Sequence, residues 1–360
     1  MRKMPNERVG KVREQLAARG ADALLVTNAV NRRYLSGFTG TSGVLLIDGS
    51  RAALVTDFRY REQAGKQAAG FAVVEHGPEL YETVKRLLVE WGVSRLLFED
   101  RDVTFAAYQD IRDKLNPAEL IPAGELVETL RMVKDERELA VMREAADLAD
   151  RAFEHILPYI RPGATEASIA LELEFYMRRN GASGPSFDTI VASGERSAMP
   201  HGVASDRVIG KGEFVTLDFG AYYKGYCSDI TRTVVVGKPS DKQREIYAIV
   251  LEAQQAALDR LAPGMTGKQG DALTRDVITR YGYGEYFGHG TGHGFGMEIH
   301  EAPRLSRTCD TVLTPGMTVT VEPGIYLPGF GGVRIEDDVV ITDTGIEILT
   351  RSPKELIVLD

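Results

Sequence analysis

The sequence lacks the features that mark secreted, membrane and nucleic-acid-binding proteins. Its 360 residues include only two cysteines, Cys227 and Cys309, which are too few for a disulfide framework and typical of a reducing cytoplasm. No apolar run is long enough to cross a bilayer, and the charged residues 1–20 contain no apolar core of a signal peptide. A net charge of −9 disfavours nucleic acid, because phosphate backbones need a basic surface. We therefore expect a cytoplasmic protein with no membrane or nucleic-acid partner.

Sequence motifs of several common enzyme classes are missing as well. The chain has no P-loop and no G-x-S-x-G, which disfavours phosphate transfer on a P-loop and serine hydrolase chemistry. His300 and Glu301 begin like the zinc-binding motif H-E-x-x-H, but the fifth residue is Arg304 and Pro303 would break the helix. The chemistry must therefore come from another set of residues.

The length and the apolar pattern predict two domains. A chain of 360 residues is too long for one ordinary core, and its 43% hydrophobic and 26% charged residues are typical of a globular protein. Residues 1–130 alternate apolar runs with helix-compatible stretches, which predicts an α/β domain without catalytic motifs, a lid or dimerisation domain. The predicted strands lie in 21–27, 43–48, 51–57, 71–75 and 94–100, and the predicted helices in 79–91 and 104–115.

The remaining chain, residues 131–360, begins with a long helix and then repeats itself. Apolar residues at spacings of three and four mark one buried helix face. Residues 160–165 match 261–266 at an offset of 101, and residues 212–218 match 316–322 at an offset of 104. Two matches at nearly the same offset predict a pseudo-two-fold domain with its site at the junction of the halves. The residues of the buried helix face are Leu139, Met142, Ala146, Ala149, Phe153 and Ile156.

Four carboxylates and one imidazole in the second domain form the candidate site. Such an oxygen-rich set suits a pair of divalent cations such as Mn²⁺ or Co²⁺ and predicts a two-metal hydrolase if the side chains converge. The five residues are Asp218, Asp229, His293, Glu322 and Glu336.

Asp218 and Asp229 lie on strands joined by a short connection. A turn at Tyr223-Lys224 would place them directly opposite each other, and a turn at Lys224-Gly225 would make them diagonal neighbours on one face. Two negative charges at such a short distance destabilise the folded protein unless a cation lies between them. The alternative is one buried, hydrogen-bonded aspartate and one exposed aspartate.

Glu322 and Glu336 lie on a second pair of strands. Arg334, two residues before Glu336, is a candidate clamp for a ligand carboxylate, a substrate anchor, or simply a partner in a strand ion pair. Cys227 precedes Asp229 by two residues, and we expect a small packing residue there rather than a redox-sensitive thiol.

The segment 288–296, GHGTGHGFG, has a glycine at every second position. A helix is disfavoured, and the glycines permit very close approach of the backbone. Besides His293, three imidazoles are available to bind a carbonyl, stabilise an oxyanion or move a proton: His201, His289 and His300. Each of them could instead be a structural histidine.

These residues resemble those of the pita-bread metallopeptidases, specifically the proline-specific branch that includes Xaa-Pro dipeptidase and aminopeptidase P. The resemblance is carried by MPHG (199–202), CSDITRT (227–233), GHGTGHGFGMEIHEAP (288–303), VEPGIY (321–326) and VRIEDD (333–338), and more weakly by NAVNRRYLSGF (28–38). It implies a creatinase-like N-terminal α/β domain followed by a pseudo-two-fold pita-bread catalytic domain.

The resemblance also implies roles for the candidate residues. Asp218 would bind one metal, Asp229 and Glu336 would bridge both, and His293 and Glu322 would complete the other. A bridging hydroxide would be the nucleophile, and Glu322 would also relay a proton. The metals would be Mn²⁺ ahead of Co²⁺ or Zn²⁺. His289 and His300 would contact substrate and oxyanion, His201, Tyr326 and Arg334 would line or brace the pocket, and Arg304 or Arg307 would contact the far end of the substrate.

The function that follows is hydrolysis of Xaa-Pro dipeptides by a homodimeric dipeptidase. The first alternative is aminopeptidase P acting on longer peptides, and a wall beyond the proline, contributed by the N-terminal domain, would distinguish the two. A metal-free creatine-type hydrolase or a non-catalytic binding module on the same fold would have lost acidic ligands or histidines, and all of these residues are present.

Overall fold

The computed structural model describes residues 7–360, which form two compact units. The boundary between them in the chain lies between Arg131 and Met132. The first unit contains a mixed six-stranded sheet in the order β4-β3-β2-β1-β5-β6, in which β2 is antiparallel to both β1 and β3 and the other pairs are parallel. Its strands are β1 (Ala23–Val26), β2 (Val44–Asp48), β3 (Ala52–Thr56), β4 (Ala72–Glu75), β5 (Arg95–Phe98) and β6 (Glu119–Pro122). Its helices are α1 (Glu7–Arg19), α2 (Ala29–Ser36), α3 (Arg61–Gln67), α4 (Leu80–Trp91), α5 (Phe105–Leu115) and α6 (Leu126–Met132), the last of which crosses the boundary.

The α/β pattern expected for the first domain is confirmed. Each of the predicted strands and both predicted helices are present, because runs such as β2 are buried along their whole length and α4 buries one apolar face. The short helix α2 was not predicted, because its sequence has no apolar periodicity. It is fixed by its ends instead: the Asn28 side chain accepts hydrogen bonds from the backbone amides of Val30 and Asn31, and Gly37 ends the helix in a left-handed conformation.

The second unit combines helices with several small sheets. Its helices are α7 (Glu136–Ile156), α8 (Glu166–Arg179), α9 (Asp241–Arg260) and α10 (Gly267–Arg280). The strands of its first half are β7 (Gly184–Pro185), β8 (Ile190–Ser193), β9 (Glu213–Phe219), β10 (Ala221–Tyr223), β11 (Tyr226–Cys227) and β12 (Ile230–Val236). The later strands are β13 (Gly292–Gly294), β14 (Glu301–Leu305), β15 (Thr318–Val321), β16 (Gly324–Leu327), β17 (Gly331–Arg334), β18 (Asp337–Ile341), β19 (Ile346–Ile348) and β20 (Val358–Leu359).

Two of these sheets carry the candidate residues. One has the order β20-β12-β9-β8, and the other has the order β14-β13-β15-β18-β19. The long helix α7 packs its predicted apolar face inward, and each of the six residues assigned to that face is buried. Among residues 7–360, no helix combines the length and the apolar character that a membrane crossing requires.

The internal repeat expected from the sequence is visible in the structure. Each half consists of a long helix, a shorter helix and a long β-hairpin, and the shorter helices begin at the equivalent N-caps Thr165 and Thr266. Thr165 also forms an isolated β-bridge with Val208, and Thr266 forms the same bridge with Val312. The two halves therefore share the same local geometry, and each contributes one hairpin that carries two of the acidic candidates.

Candidate metal centre

The hairpin of the first half places Asp218 and Asp229 on one face. It turns at Lys224-Gly225, where both residues have positive φ (49° and 96°), as a two-residue turn of this kind requires. In the resulting register Asp218 lies opposite Thr231, two positions from Asp229. The second of the two predicted turns is therefore the one observed, and the aspartates are diagonal neighbours.

The hairpin of the second half brings Glu322 and Glu336 together. Val321 pairs with Asp337 and Gly324 pairs with Arg334, so the two glutamates lie across from each other where the paired strands are interrupted. Asp229, Glu322 and Glu336 thus lie where the strands of the two hairpins are interrupted, whereas Asp218 lies within β9. The four carboxylates line one common cavity.

His293 belongs to the glycine-rich segment, residues 288–296, and its side chain lines the same cavity as the carboxylates. It lies in β13, which pairs with β14 on one side and with β15 on the other. Gly292 allows this arrangement, because a Cβ atom on it would collide with the carbonyl oxygen of Thr320. The expected close backbone approach is therefore present, and it brings the imidazole to the carboxylates.

The five candidate residues converge on a cavity of about 480 Å³. Asp229, His293 and Glu336 are buried and offer ligand atoms that all lie within 4.8 Å of one another. His293 Nε2 lies 3.6 Å from Asp229 Oδ2 and 3.4 Å from Glu322 Oε1. Asp218 and Glu322 line the same cavity and are less deeply buried. The structure therefore gathers residues that are far apart in sequence into one acidic cluster.

The cluster has the properties of a site for divalent cations. Oδ1 of Asp218 and Oδ1 of Asp229 are buried and accept no hydrogen bond. Burial, together with the neighbouring carboxylates, raises the pKa of Asp229 and of Glu336 well above the usual range, and burial raises the pKa of Glu322 to about 7. Such crowding is unfavourable without a compensating positive charge, so divalent metals fit these residues.

The tautomer of His293 fits a metal ligand too. Its Nδ1 lies 3.1 Å from the carbonyl oxygen of Gly294, which can only accept, so Nδ1 carries the proton. Burial lowers the pKa of His293 to about 3, and the ring is neutral at pH 7. The lone pair of Nε2 therefore points at carboxylate oxygens, an arrangement that a cation would stabilise.

Neighbouring hydroxyl groups and one guanidinium orient the carboxylates. Thr231 Oγ1 donates to Glu336 Oε2 at 2.5 Å, and Thr320 Oγ1 donates to Glu322 Oε1 at 3.0 Å. The buried guanidinium of Arg334 donates to Asp218 Oδ2 at 2.6 Å. Arg334 thus serves as the carboxylate clamp considered above, and it lines the cavity as well.

A fully buried arginine connects the two hairpins behind the cluster. Arg232 Nη1 donates to the carbonyl oxygens of Thr231 and Glu336, and Arg232 Nη2 donates to Asp337 Oδ1 at 2.8 Å. Asp338 Oδ2 accepts the backbone amide of Asp229 at 2.8 Å. Sequence reasoning missed these supports, although Asp338 lies two positions after Glu336 in the same acidic run and could have been noticed.

His289 belongs to a hydrogen-bonded chain that includes Tyr326 and Arg334. Its Nδ1 faces the Gly290 carbonyl oxygen at 2.7 Å, and its Nε2 lies 2.7 Å from the Tyr326 hydroxyl, which accepts from Arg334 Nη1 at 2.9 Å. Burial lowers the pKa of His289 to about 4, so the neutral ring accepts a hydrogen bond from the Tyr326 hydroxyl at Nε2. His289 and Arg334 line the cavity, whereas Tyr326 supports them from behind.

The other predicted residues lie around the opening of the cavity. His201 and His300 line it, and the ring of His300 is in edge contact with that of His293 at 4.5 Å between centroids. Of the two candidate arginines, Arg304 lines the cavity, whereas Arg307 is not among its lining residues. Four apolar residues that also line the cavity were not predicted, because no motif or spacing distinguishes them: Phe187, Ile190, Val203 and Ile299.

Cys227 is buried beside the cluster and behaves as a packing residue. Burial raises the pKa of its thiol to about 12, so the reactive thiolate is not populated at neutral pH. The structure thus supports the packing role expected for this residue.

Comparison with known proteins agrees with the motifs. Residues 140–343 match the model of metallopeptidase family M24, and residues 8–133 match the creatinase/prolidase N-terminal domain. An Xaa-Pro dipeptidase of Pyrococcus horikoshii is 41% identical over 98% of this chain and 99% of its own.

Two solved structures are similar over nearly the whole chain. An Xaa-Pro dipeptidase from Bacillus anthracis is 56% identical, with a TM-score of 0.97 over 98% of this chain and 99% of its own. An X-Pro aminopeptidase from Thermotoga maritima is 42% identical, with a TM-score of 0.91 over 97% of this chain and all of its own. The creatinase-like domain followed by a pita-bread domain is therefore confirmed as the fold, and the chain belongs to metallopeptidase family M24.

Proposed function

We propose that this protein is a metal-dependent Xaa-Pro dipeptidase, which hydrolyses the bond between the first residue of a dipeptide and a following proline. The observation that carries the proposal is the buried cluster of Asp229, His293 and Glu336, which opens into a cavity of a size suited to a small substrate. The dipeptidases of Pyrococcus horikoshii and Bacillus anthracis support this substrate class.

The two units would have different roles in the protein. Residues 1–130 would form a creatinase/prolidase-like domain without catalytic residues, and residues 131–360 would form the catalytic pita-bread domain. We place the protein in the cytoplasm as a homodimer, without nucleic-acid or membrane partners. The low cysteine count supports the compartment, and the dimer rests on the family resemblance alone.

The acidic cluster would hold two divalent cations, Mn²⁺ ahead of Co²⁺ or Zn²⁺, because carboxylate oxygens and one imidazole suit these ions. Asp218, Asp229, His293, Glu322 and Glu336 would be the ligands. When bound, such ions supply Lewis acidity that polarises a carbonyl group and makes water more acidic.

The chain's own residues would bind the peptide and move protons. Glu322, which lines the cavity beside His293, would accept the proton of the attacking water and pass it to the proline nitrogen that leaves. His300 would contact the substrate carbonyl oxygen as it becomes negatively charged. His289, whose ring nitrogens bind the Gly290 carbonyl oxygen and the Tyr326 hydroxyl, would contact the substrate in the pocket. His201 would line the pocket, Arg334 would hold Asp218 in place, and Tyr326 would fix the ring of His289.

The alternative function is aminopeptidase P, which acts on longer peptides. It is favoured by one observation, the similarity to the X-Pro aminopeptidase of Thermotoga maritima. Both activities would use the same acidic cluster, and they differ only in the length of peptide that the cavity accepts.

A paired assay distinguishes these functions. The protein is stripped with a chelator, reloaded with Mn²⁺ and given Ala-Pro or Ala-Pro-Ala, with and without metal. Metal-dependent cleavage of Ala-Pro alone is the expected result. Preference for the tripeptide would identify aminopeptidase P, and no cleavage by the Mn²⁺-loaded protein would overturn both proposals.

Two variants test whether the cleavage activity depends on the acidic cluster. Asp229→Asn removes a buried carboxylate of the candidate centre and should abolish metal-dependent cleavage. Asp259→Asn makes the same chemical change at an exposed position of α9 and should leave cleavage unchanged.

A further inference from the structure

The backbone of the glycine-rich segment has few side chains of its own to hold it. Only Gly292, His293 and Gly294 of this segment belong to a strand, so residues 287–291 lie outside the sheet. Glycine is the most flexible residue, and an irregular run of glycines does not fix its own conformation. The Tyr326 hydroxyl binds the ring of His289, but the backbone that carries this ring needs contacts from other parts of the chain.

An ion pair on α10 holds this part of the backbone. Arg275 Nη1 donates to the carbonyl oxygen of Phe287 at 3.0 Å, and Arg275 Nη2 donates to that of His289 at 2.7 Å. Asp271 Oδ1 accepts the backbone amide of Thr291 at 2.9 Å and its hydroxyl at 3.0 Å. Two side chains of one helix thus bind the backbone at residue 287, directly before the segment, and at residues 289 and 291 within it.

The pair is itself rigid. Arg275 and Asp271 are one helical turn apart and form a bidentate contact, with Nε to Oδ2 at 2.6 Å and Nη2 to Oδ1 at 2.8 Å. The two side chains are only 12% and 2% exposed, so water screens this contact little. The planar guanidinium also lies over the ring of Phe287, 4.2 Å from its centroid. The fork of Arg275 therefore has a single orientation.

The glycine-rich segment connects the Asp271–Arg275 ion pair to residues of the cavity. The carbonyl oxygen of Thr291 accepts the backbone amide of Glu322 at 2.8 Å, and the ring of His289 meets the Tyr326 hydroxyl. Arg275 itself contacts none of the five candidate metal ligands. Its influence on the reaction must therefore pass through the backbone of residues 287–291 and, above all, through the position of His289.

We propose that Asp271 and Arg275 are positioning residues, which fix the glycine-rich backbone so that His289 meets the substrate in the correct orientation. This inference rests on the proposed function, because it assigns His289 a contact with the substrate. It adds a buried ion pair on α10 to the groups on which catalysis depends.

The test uses the full-length, Mn²⁺-loaded protein with Arg275→Lys. Lysine keeps the charge but lacks the planar fork that binds two carbonyl oxygens and Asp271 together. We expect kcat/KM for Ala-Pro to fall about 10- to 100-fold, the loss expected from a displacement of about 1 Å near the reacting groups. Mn²⁺ affinity, measured by titration calorimetry, should stay at the wild-type value.

The matched control is Arg143→Lys. Arg143 forms a bidentate pair with Glu347 at 2.8 and 2.7 Å in the same unit, and neither residue lines the cavity. This variant should keep wild-type kcat/KM. A loss equal to that of Arg275→Lys would show that any broken ion pair slows the enzyme, and it would overturn the proposal.

A double-mutant cycle separates positioning from a general structural role. In a His289→Ala background, Arg275→Lys should cause little further loss of kcat/KM, because the ring that the ion pair positions is gone. The same fold loss in both backgrounds would refute the proposal. A lower Tm with unchanged kcat/KM in the single variant would refute it as well.

Hydrogen exchange provides a readout that does not depend on catalysis. The backbone amides of residues 287–292 should exchange faster in Arg275→Lys than in wild type, with Arg143→Lys unchanged. If the wild-type protein fails to cleave Ala-Pro, the proposed function fails, and the exchange rates still decide whether the pair holds the segment. Unchanged exchange would overturn the positioning role. Asp271→Asn, which keeps the acceptor for Thr291, serves as a second variant and should show a smaller increase.

Discussion

Thr231→Val tests whether a single hydroxyl group holds the Glu336 carboxylate in place. Thr231 Oγ1 donates to Glu336 Oε2 at 2.5 Å and accepts from Arg334 Nε at 3.0 Å. Valine has nearly the same shape, so the backbone and the packing should remain while both hydrogen bonds are lost. Arg334 keeps its contacts with Asp218 and Tyr326, and the principal loss is therefore at Glu336.

The magnitude follows from that one contact. A hydrogen bond to a charged group contributes about 1.5–3 kcal/mol, which corresponds to a change of about 10- to 150-fold in an equilibrium constant. Loss of a group that orients a metal ligand commonly weakens metal binding by about 10- to 100-fold. We therefore expect Mn²⁺ affinity to fall by one to two orders of magnitude.

The assay is titration of Mn²⁺ into the chelator-stripped protein by calorimetry, with Thr216→Val as the control. Thr216 is buried on the neighbouring strand and shares a hydrogen bond with Thr233 at 3.1 Å, but it contacts no carboxylate of the cluster. Its variant should bind Mn²⁺ like wild type. Equal affinities for all three proteins, or an equal loss in both variants, would refute the assignment of Thr231 as a support of Glu336.

Two further predictions concern stability, measured by chemical denaturation. Leu173→Ala should lower the free energy of unfolding by about 2–5 kcal/mol, because Leu173 is fully buried, whereas Leu171→Ala on the exposed face of the same helix should change it by less than about 0.5 kcal/mol. Gly292→Ala should destabilise the protein and weaken Mn²⁺ binding, because its Cβ would collide with the Thr320 carbonyl oxygen, whereas Gly288→Ala has open space and should be tolerated. Equal effects within either pair would contradict the packing described here.

Much of the centre could be predicted because local patterns determine it. Asp218 and Asp229 lie on β-branched strands around a Lys224-Gly225 turn, and such a turn fixes which residues share a face. The glycine alternation around His293 likewise predicts a close backbone approach, because a Cβ atom at Gly292 would collide with the Thr320 carbonyl oxygen. The internal repeat then implied that the two hairpins would meet at one place.

The residues that sequence reasoning missed act through contacts over long distances in the chain. Arg232 looks like any charged residue in a strand, yet it is buried because it donates to the carbonyl oxygens of both hairpins. Arg275 likewise lies on a helix, and the apolar pattern of that helix does not reveal that Arg275 binds the backbone at His289. Which of Arg304 and Arg307 lines the cavity depends on the path of β14, which only tertiary packing determines.

The position of Thr231 and Glu336 on different hairpins has a consequence for how the protein acquires its metal. The two residues are separated by 105 positions in the chain, and their contact exists only after both halves have folded and met. A cation bound between the halves therefore acts as a crosslink that the unfolded chain cannot reproduce. By mass action, a concentration of about 100 times Kd would add about 2.7 kcal/mol to the stability of the native state. Metal release and separation of the two halves are then coupled events, so chelation should lower Tm and metal loss should accompany unfolding.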